Sequence, residues 1–145
     1  MNSNNHITVD QIKNDAEVIK KELVEWRHYL HAHPELSFKE ERTTHYIVNK
    51  LKNFGYTDIQ IGFGPLKTGV MVEIGSGRPC VMLRADIDAL PIQEQTGVEF
   101  CSQSKGVSHA CGHDAHITNL LGVAKLLKKY ENCLLYTSPS PRDCS

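Results

Sequence analysis

Apolar residues follow two different periods along this chain, and the order of those periods constrains the fold more than any other feature. Between Val9 and Leu30, residues Ile12, Ala16, Ile19, Leu23, Trp26 and Leu30 recur at steps of three, four or seven, the spacing of a helix with one buried stripe. Pro34 cannot continue that helix and biases His33 toward extended geometry, so the helix is expected to stop just before it. Ser37-Phe38-Lys39-Glu40 reads as a capping box that opens a second helix with the stripe Tyr46, Ile47, Leu51 and Phe54, and Gly55 suits the left-handed position that ends it. Three short β-rich runs follow, Asp58 to Ile61, Gly69 to Ile74 and Cys80 to Arg84, with residues 75–79 as a turn between the last two. Val81-Met82-Leu83 is unbroken apolar sequence, as in a central strand covered on both faces. Ala85 to His113 is then a long polar connection of the kind that carries function. A third helix is expected from about Asp114, with Ile117, Leu120, Leu121, Ala124 and Leu127 on one side and Lys125, Lys128 and Lys129 at its C-terminal end. The order helix, helix, strands, helix predicts the α/β class.

Sixteen Lys and Arg stand against 17 Asp and Glu in 145 residues, a formal net charge of −1 with 40% apolar content. So balanced a surface has no long-range field for phosphate backbones or anionic lipid, so neither nucleic acid nor a membrane surface is an expected partner. The opening residues lack a basic start followed by an apolar stretch, and a cytoplasmic location is expected. Five cysteines without framework spacing do not suggest a disulfide scaffold. Cys133 to Asp143 reads as the translation of a transposon-end sequencing adapter, so residues 133–145 are expected to be a disordered artefact and residues 1–132 the natural part.

Chemistry concentrates in His109-Ala-Cys-Gly-His-Asp-Ala-His116, three imidazoles, a thiol and a carboxylate within eight residues. Thiolate and neutral imidazole are the ligands that zinc and similar ions prefer, and Gly112 lets the backbone bend so that Cys111 and His113 converge. A helix start at this point favours an anionic ligand such as a thiolate. The bland alternative is a surface loop whose polar residues cap the helix, with Asp114 as the cap. Two ligands do not complete a catalytic site, so other residues must contribute. Arg84-Ala-Asp86-Ile-Asp88 ends the third β-rich run, where open α/β sheets place their sites. Asp86 could orient a ligating imidazole there, or Asp86 and Asp88 could simply pair with Arg84.

Three segments, Trp26 to Glu41, Leu83 to Ile92 and His109 to Ile117, resemble in order the three successive N-terminal motifs of the M20 metallopeptidase family. The subgroup they resemble is the amidohydrolases of N-acyl amino acids, such as hippurate hydrolase, N-acetyldiaminopimelate deacetylase and the indoleacetyl amino acid hydrolases. The resemblance implies the N-terminal part of a zinc-peptidase-like catalytic domain, with Cys111 and His113 as metal ligands and Asp86 as the active-site aspartate. Relatives outside the subgroup carry a ligating His where this chain has Arg84. His109 and His116 are implied only as substrate-contacting or supporting groups, and Arg27 to Glu35 as a packing and turn element near the site.

The implied reaction is hydrolysis of the amide bond of an N-acyl amino acid at a pair of Mn²⁺ or Zn²⁺ ions, by an enzyme that is a homodimer or larger. The family's Glu-Glu pair, its further Glu and His ligands and its lid and dimerisation domain have no counterpart in this sequence, so the chain alone is expected to be inactive. Two other readings are open. Cys111 could be the nucleophile of a thiol hydrolase activated by a neighbouring His. His109, Cys111, His113 and His116 could instead form a structural metal clip, although a helix starting at Asp114 is expected to point His116 away.

Overall fold

A computed structural model describes residues 7–63, 65–76 and 79–134. Its elements are α1 (Val9–Ala32), α2 (Glu41–Phe54), β1 (Ile59–Ile61), β2 (Val70–Val72), α3 (His113–Lys129) and the single turn α4 (Glu131–Leu134). The expected helix-helix-strands-helix order is present. Cys133 and Leu134 close α4, and residues 135–145 of the expected artefact lie outside the described residues, as do residues 77 and 78 of the expected turn.

The first helix is closed at its start by a capping box: the Gln11 amide donates to Thr8 Oγ1, and the Thr8 amide donates to Gln11 Oε1. It ends two residues before Pro34, as the ring's missing donor requires. The start of α2 departs from expectation. Glu40 is its N-cap and provides no side-chain cap, and Ser37 does not cap either. The Glu35 carboxylate takes that role, accepting from the Arg42 amide at 3.1 Å and from the Thr43 amide and hydroxyl at 2.8 and 2.9 Å. A carboxylate can serve two amides at the positive end of a helix where a serine hydroxyl serves one, so Ser37 is left to donate to Asp88. Gly55 ends α2 at φ +96°, the left-handed conformation expected of it.

Three helices enclose one core. Trp26 and Leu30 of α1, Ile47 and Leu51 of α2, Tyr56, and Ile117 and Leu121 of α3 form a single buried cluster. α1 and α3 approach closely at Gly122, where an added Cβ would sit 3.0 Å from Leu23 Cδ2. The Tyr56 hydroxyl reaches through the core to donate to the Ala124 carbonyl at 2.9 Å, so this buried polar group is satisfied. β1 and β2 pair antiparallel with Ile59 opposite Val72 and Ile61 opposite Val70, and Ile59, Val70 and Val72 lean on the helical core.

The third expected strand does not form. Residues 80–84 are unpaired, and Val81, Met82 and Leu83 are 80%, 81% and 54% exposed. A two-faced central strand requires a flanking strand at its edge and layers above and below it, and among the described residues the β1–β2 ribbon supplies neither. The connection from Ala85 to Gly112 is nevertheless well tied down. The Ala89 amide donates to the Glu35 carbonyl at 2.7 Å, Leu90 and Ser108 exchange two 3.0 Å hydrogen bonds, and the Gln103 amide donates to the Ala32 carbonyl at 2.9 Å. No helix among the described residues is long and apolar enough to cross a membrane.

Candidate metal centre

The long connection delivers the chain to α3 through Gly112, whose φ of +80° is left-handed backbone that favours glycine, although a Cβ there would meet nothing within 4 Å. The glycine is thus required by the turn rather than by crowding. Cys111, just before it, is exposed with a free thiol. His113, just after it, is the first residue of α3 and is largely buried.

The hydrogen bonds of His113 define its chemistry. Nδ1 lies 2.9 Å from the Asp88 carbonyl oxygen and 2.9 Å from Asp88 Oδ1. Both are acceptors, so Nδ1 must hold the proton, and the neutral ring then carries its lone pair on Nε2. Among the described residues Nε2 has no hydrogen-bond partner. This is the arrangement of a metal-binding histidine, whose other nitrogen donates to a carboxylate or carbonyl that fixes tautomer and ring direction. Asp88 is held in turn: a hydrogen bond from the Ser37 hydroxyl, together with the neighbouring His113, keeps its carboxyl below the usual range against the opposing effect of burial.

Among the described residues the carboxylate that orients the His113 imidazole is Asp88, and Asp86 contacts no imidazole. It pairs with Arg84 in an exposed ion pair. Local geometry explains the difference. Without a strand at 80–84, Arg84 is free to fold onto its near neighbour, whereas Asp88 adjoins Ala89, which is bridged to Leu36 and so carried toward α3. His116 is exposed, yet its ring centroid lies 5.6 Å from that of His113, because residues three apart on a helix share a face. It is not pointed away as expected. His109 is buried, and neither of its ring nitrogens has a partner among the described residues. Burial pushes its pKa down and favours the neutral ring.

Asp114 is not a cap either: the N-cap is Gly112, without a side-chain hydrogen bond. Asp114 is fully buried and points at α1, where its Oδ2 accepts from His31 Nδ1 at 2.7 Å and from Arg27 Nε at 3.3 Å. The second nitrogen of His31 lies 3.0 Å from Glu94 Oε1. Glu94 also accepts from the Ser102 amide at 2.6 Å and from the Thr96 hydroxyl. Arg27 to Glu35 is thus more than the packing and turn element its motif implies, and neither His31 nor Glu94 stands out in sequence as part of the site. The available signal was Arg27 and His31 one turn apart on a helix that also bears the apolar stripe.

The donor set suits a borderline divalent ion: one thiol and one imidazole with its lone pair available, joined by a glycine turn. It does not close a coordination shell, since no group of three or more His, Cys, Asp or Glu among the described residues could hold a metal. A structural clip needs four such ligands and is not assembled here. No imidazole lies within hydrogen-bond reach of Cys111 among the described residues.

Residues 82–137 match the family described as Peptidase family M20/M25/M40. The chain is similar to the N-acyl-L-amino acid amidohydrolase of Geobacillus stearothermophilus, 44% identical over 85% of this chain and 33% of that protein. It is also similar to the N-acetyl-L-cysteine deacetylase of Bacillus subtilis, 49% identical over 80% of this chain and 28% of that protein. Among solved structures it superposes on a dinuclear metal-binding peptidase of the M20 family from Bacillus subtilis, with a TM-score of 0.67 and 44% identity over 79% of this chain and 32% of that one. The chain therefore spans about a third of the length of these relatives.

Proposed function

Since the chain belongs to the M20 peptidase family, we propose that it carries part of a divalent-metal hydrolytic centre, with Cys111 and His113 as ligands, in a protein that cleaves the amide bond of N-acyl amino acids. The observation that carries the reading is the Asp88 contact, which leaves Nε2 of His113 as the nitrogen with a lone pair, one glycine away from a free thiol. The substrate class comes from the relatives, two of which are named for N-acyl or N-acetyl amino acids. A bound divalent ion would supply Lewis acidity, activating water and stabilising the oxyanion of the tetrahedral intermediate.

The chain's own residues have simpler tasks. Cys111 and His113 bind, and Asp88 holds the Nδ1 proton and thereby the ring direction. Asp86 is proposed as a further carboxylate of the site. It is the active-site aspartate of the motif, and its pairing with Arg84 supports a carboxylate present in its ionised form. His109 and His116, one buried and one beside His113, are proposed as supporting or substrate-contacting groups. Zn²⁺ and Mn²⁺ are both consistent with the ligands, a pair of ions and a dimeric or larger assembly are proposed with them, and the cytoplasm is the proposed location.

The 145 residues alone are expected not to turn over substrate, because two ligands leave the shell open. The proposal is tested on a polypeptide carrying these residues over the relatives' full length, assayed with N-acetyl amino acids. Hydrolysis should disappear on chelation and return with Zn²⁺ or Mn²⁺. Activity that survives chelation but is abolished by iodoacetamide would replace this reading with the thiol-hydrolase one.

A further inference from the structure

Among the described residues His31 is the one imidazole whose two nitrogens both face carboxylates, Asp114 Oδ2 at 2.7 Å and Glu94 Oε1 at 3.0 Å. A neutral ring would set its lone pair against one of them, so this geometry selects the doubly protonated imidazolium. Its side chain is only 12% exposed. Phe100 stands edge-on to it, with centroids 5.4 Å apart, and also meets the stacked His28 ring and the Arg27 guanidinium. A charged ring screened from water in this way holds its two carboxylates more firmly than a surface ion pair does.

Those two carboxylates belong to the two segments that set the direction of His113. Asp114 is the next residue on α3, so anchoring its side chain on α1 fixes the rotation of the first helical turn. Glu94 lies in the 85–112 connection that also carries Asp88, the residue that grips His113 Nδ1. The same connection is pinned to the end of α1 through the Glu35 and Ala32 carbonyls. His31 is thus the side chain that touches both the helix bearing His113 and the connection bearing Asp88.

We propose that His31 is a positioning residue for the metal pair: as an imidazolium clamped between Glu94 and Asp114 it locks the first turn of α3 against the Asp88-bearing loop, and so fixes where His113 presents Nε2. This rests on the reading of Cys111 and His113 as ligands. It goes beyond that reading by assigning to α1 a part in metal binding, although α1 supplies no ligand.

The full 145-residue chain, labelled with ¹⁵N-histidine, is titrated with Cd²⁺. Two signals are followed, the thiolate-to-cadmium charge-transfer absorption and the His113 ring nitrogen shifts, with Cys111→Ser as the blank. In the unsubstituted chain both should respond together. In His31→Gln the charge-transfer band should persist while the His113 Nε2 shift is lost, with Cd²⁺ affinity weaker by about 10–100-fold, the usual effect of removing a group that orients a ligand. Glu94→Gln, which keeps an acceptor for His31 but removes the charge, should fall between the two and decides the matter if His31→Gln does not fold. A role confined to stability would lower both signals in proportion to the unfolded fraction. That pattern, or affinity and His113 shifts unchanged in both variants, overturns the inference. Absence of a Cys111-dependent band in the unsubstituted chain overturns the metal-pair reading and this inference with it.

Discussion

Replacing Asp114 with alanine is expected to remove about 3–5 kcal/mol of folding free energy, the usual cost of deleting one partner from a buried ion pair. The carboxylate is fully buried and is the common acceptor for His31 and Arg27. Without it His31 keeps only Glu94, and a buried cation loses half of its compensation. Small domains have about 5–15 kcal/mol in total, so most of the margin would go. Urea denaturation should show the midpoint falling with the slope unchanged, since the surface exposed on unfolding is the same. Arg27→Ala is the contrasting case. Its side chain is 46% exposed, and its removal should cost less than about 1 kcal/mol. Equal losses for the two variants would show that Asp114 does not act through His31.

Stability should also fall on both sides of a narrow pH window, and one cluster governs much of it. Burial opposes the charged form of His31, but its hydrogen bonds to Glu94 and Asp114 outweigh that and raise its pKa above 6.5. A raised value means the folded chain binds the proton more tightly, so this contribution is complete below pH 6.5 and is lost as pH rises through the folded value. The groups facing His31 are Glu94 from the loop and Asp114 from α3, with Arg27 and His109 close behind. Glu94 has the opposite sign. Burial raises its pKa, yet hydrogen bonds from Thr96, the Ser102 amide and His31 prevail and bring it from 4.5 to about 2. Its contribution is complete above pH 4.5 and is lost as pH falls toward about 2. Asp15 and Asp88, each shifted down from 3.8, add to the acid loss, and His109, shifted down from 6.5 by burial, begins its loss as soon as pH falls below 6.5. On the alkaline side the other shifted groups, Tyr46, Tyr56 and Lys129, have ordinary values of 10.0 or above. Thermal denaturation should therefore show a maximum near pH 6.5, with His31 losing its contribution above it, His109 below it, and a steeper acid decline below pH 4.5. The decline just above it should vanish in His31→Gln, and the acid decline should shrink without vanishing in Glu94→Gln. A decline above pH 6.5 that persists in His31→Gln would show that another group carries it.

Local signals were sufficient wherever a residue's role depends on its near neighbours in sequence. The stripe from Ile12 to Leu30 marked α1 to within two residues of its end, and Gly55 marked the end of α2 by its left-handed backbone. The Cys111-Gly112-His113 turn was legible because ligand type and glycine spacing are written in adjacent residues. Failures arose where a distant partner decides. Glu35 displaced the Ser37 capping box, because a carboxylate upstream competes better for two amides. Asp88 meets His113 without a mark in sequence, because a bridge from Leu36 to Ala89 sets which carboxylate arrives at α3. Val81-Met82-Leu83 has the composition of a buried strand, but composition cannot supply a neighbouring strand. The His31 clamp joins residues 83 and 63 positions apart, and neither pairing leaves a mark in local periodicity.

The central claim, that Cys111 and His113 form one part of a hydrolytic metal centre, is tested most directly by X-ray absorption at the zinc edge on the chain loaded with one equivalent of Zn²⁺. The account predicts a sulfur scatterer at about 2.3 Å and nitrogen at about 2.0–2.1 Å. The sulfur shell should vanish in Cys111→Ser, and the outer-shell scattering of an imidazole should vanish in His113→Ala. A first shell of light atoms alone in the unsubstituted chain, or a sulfur shell that survives Cys111→Ser, would contradict it.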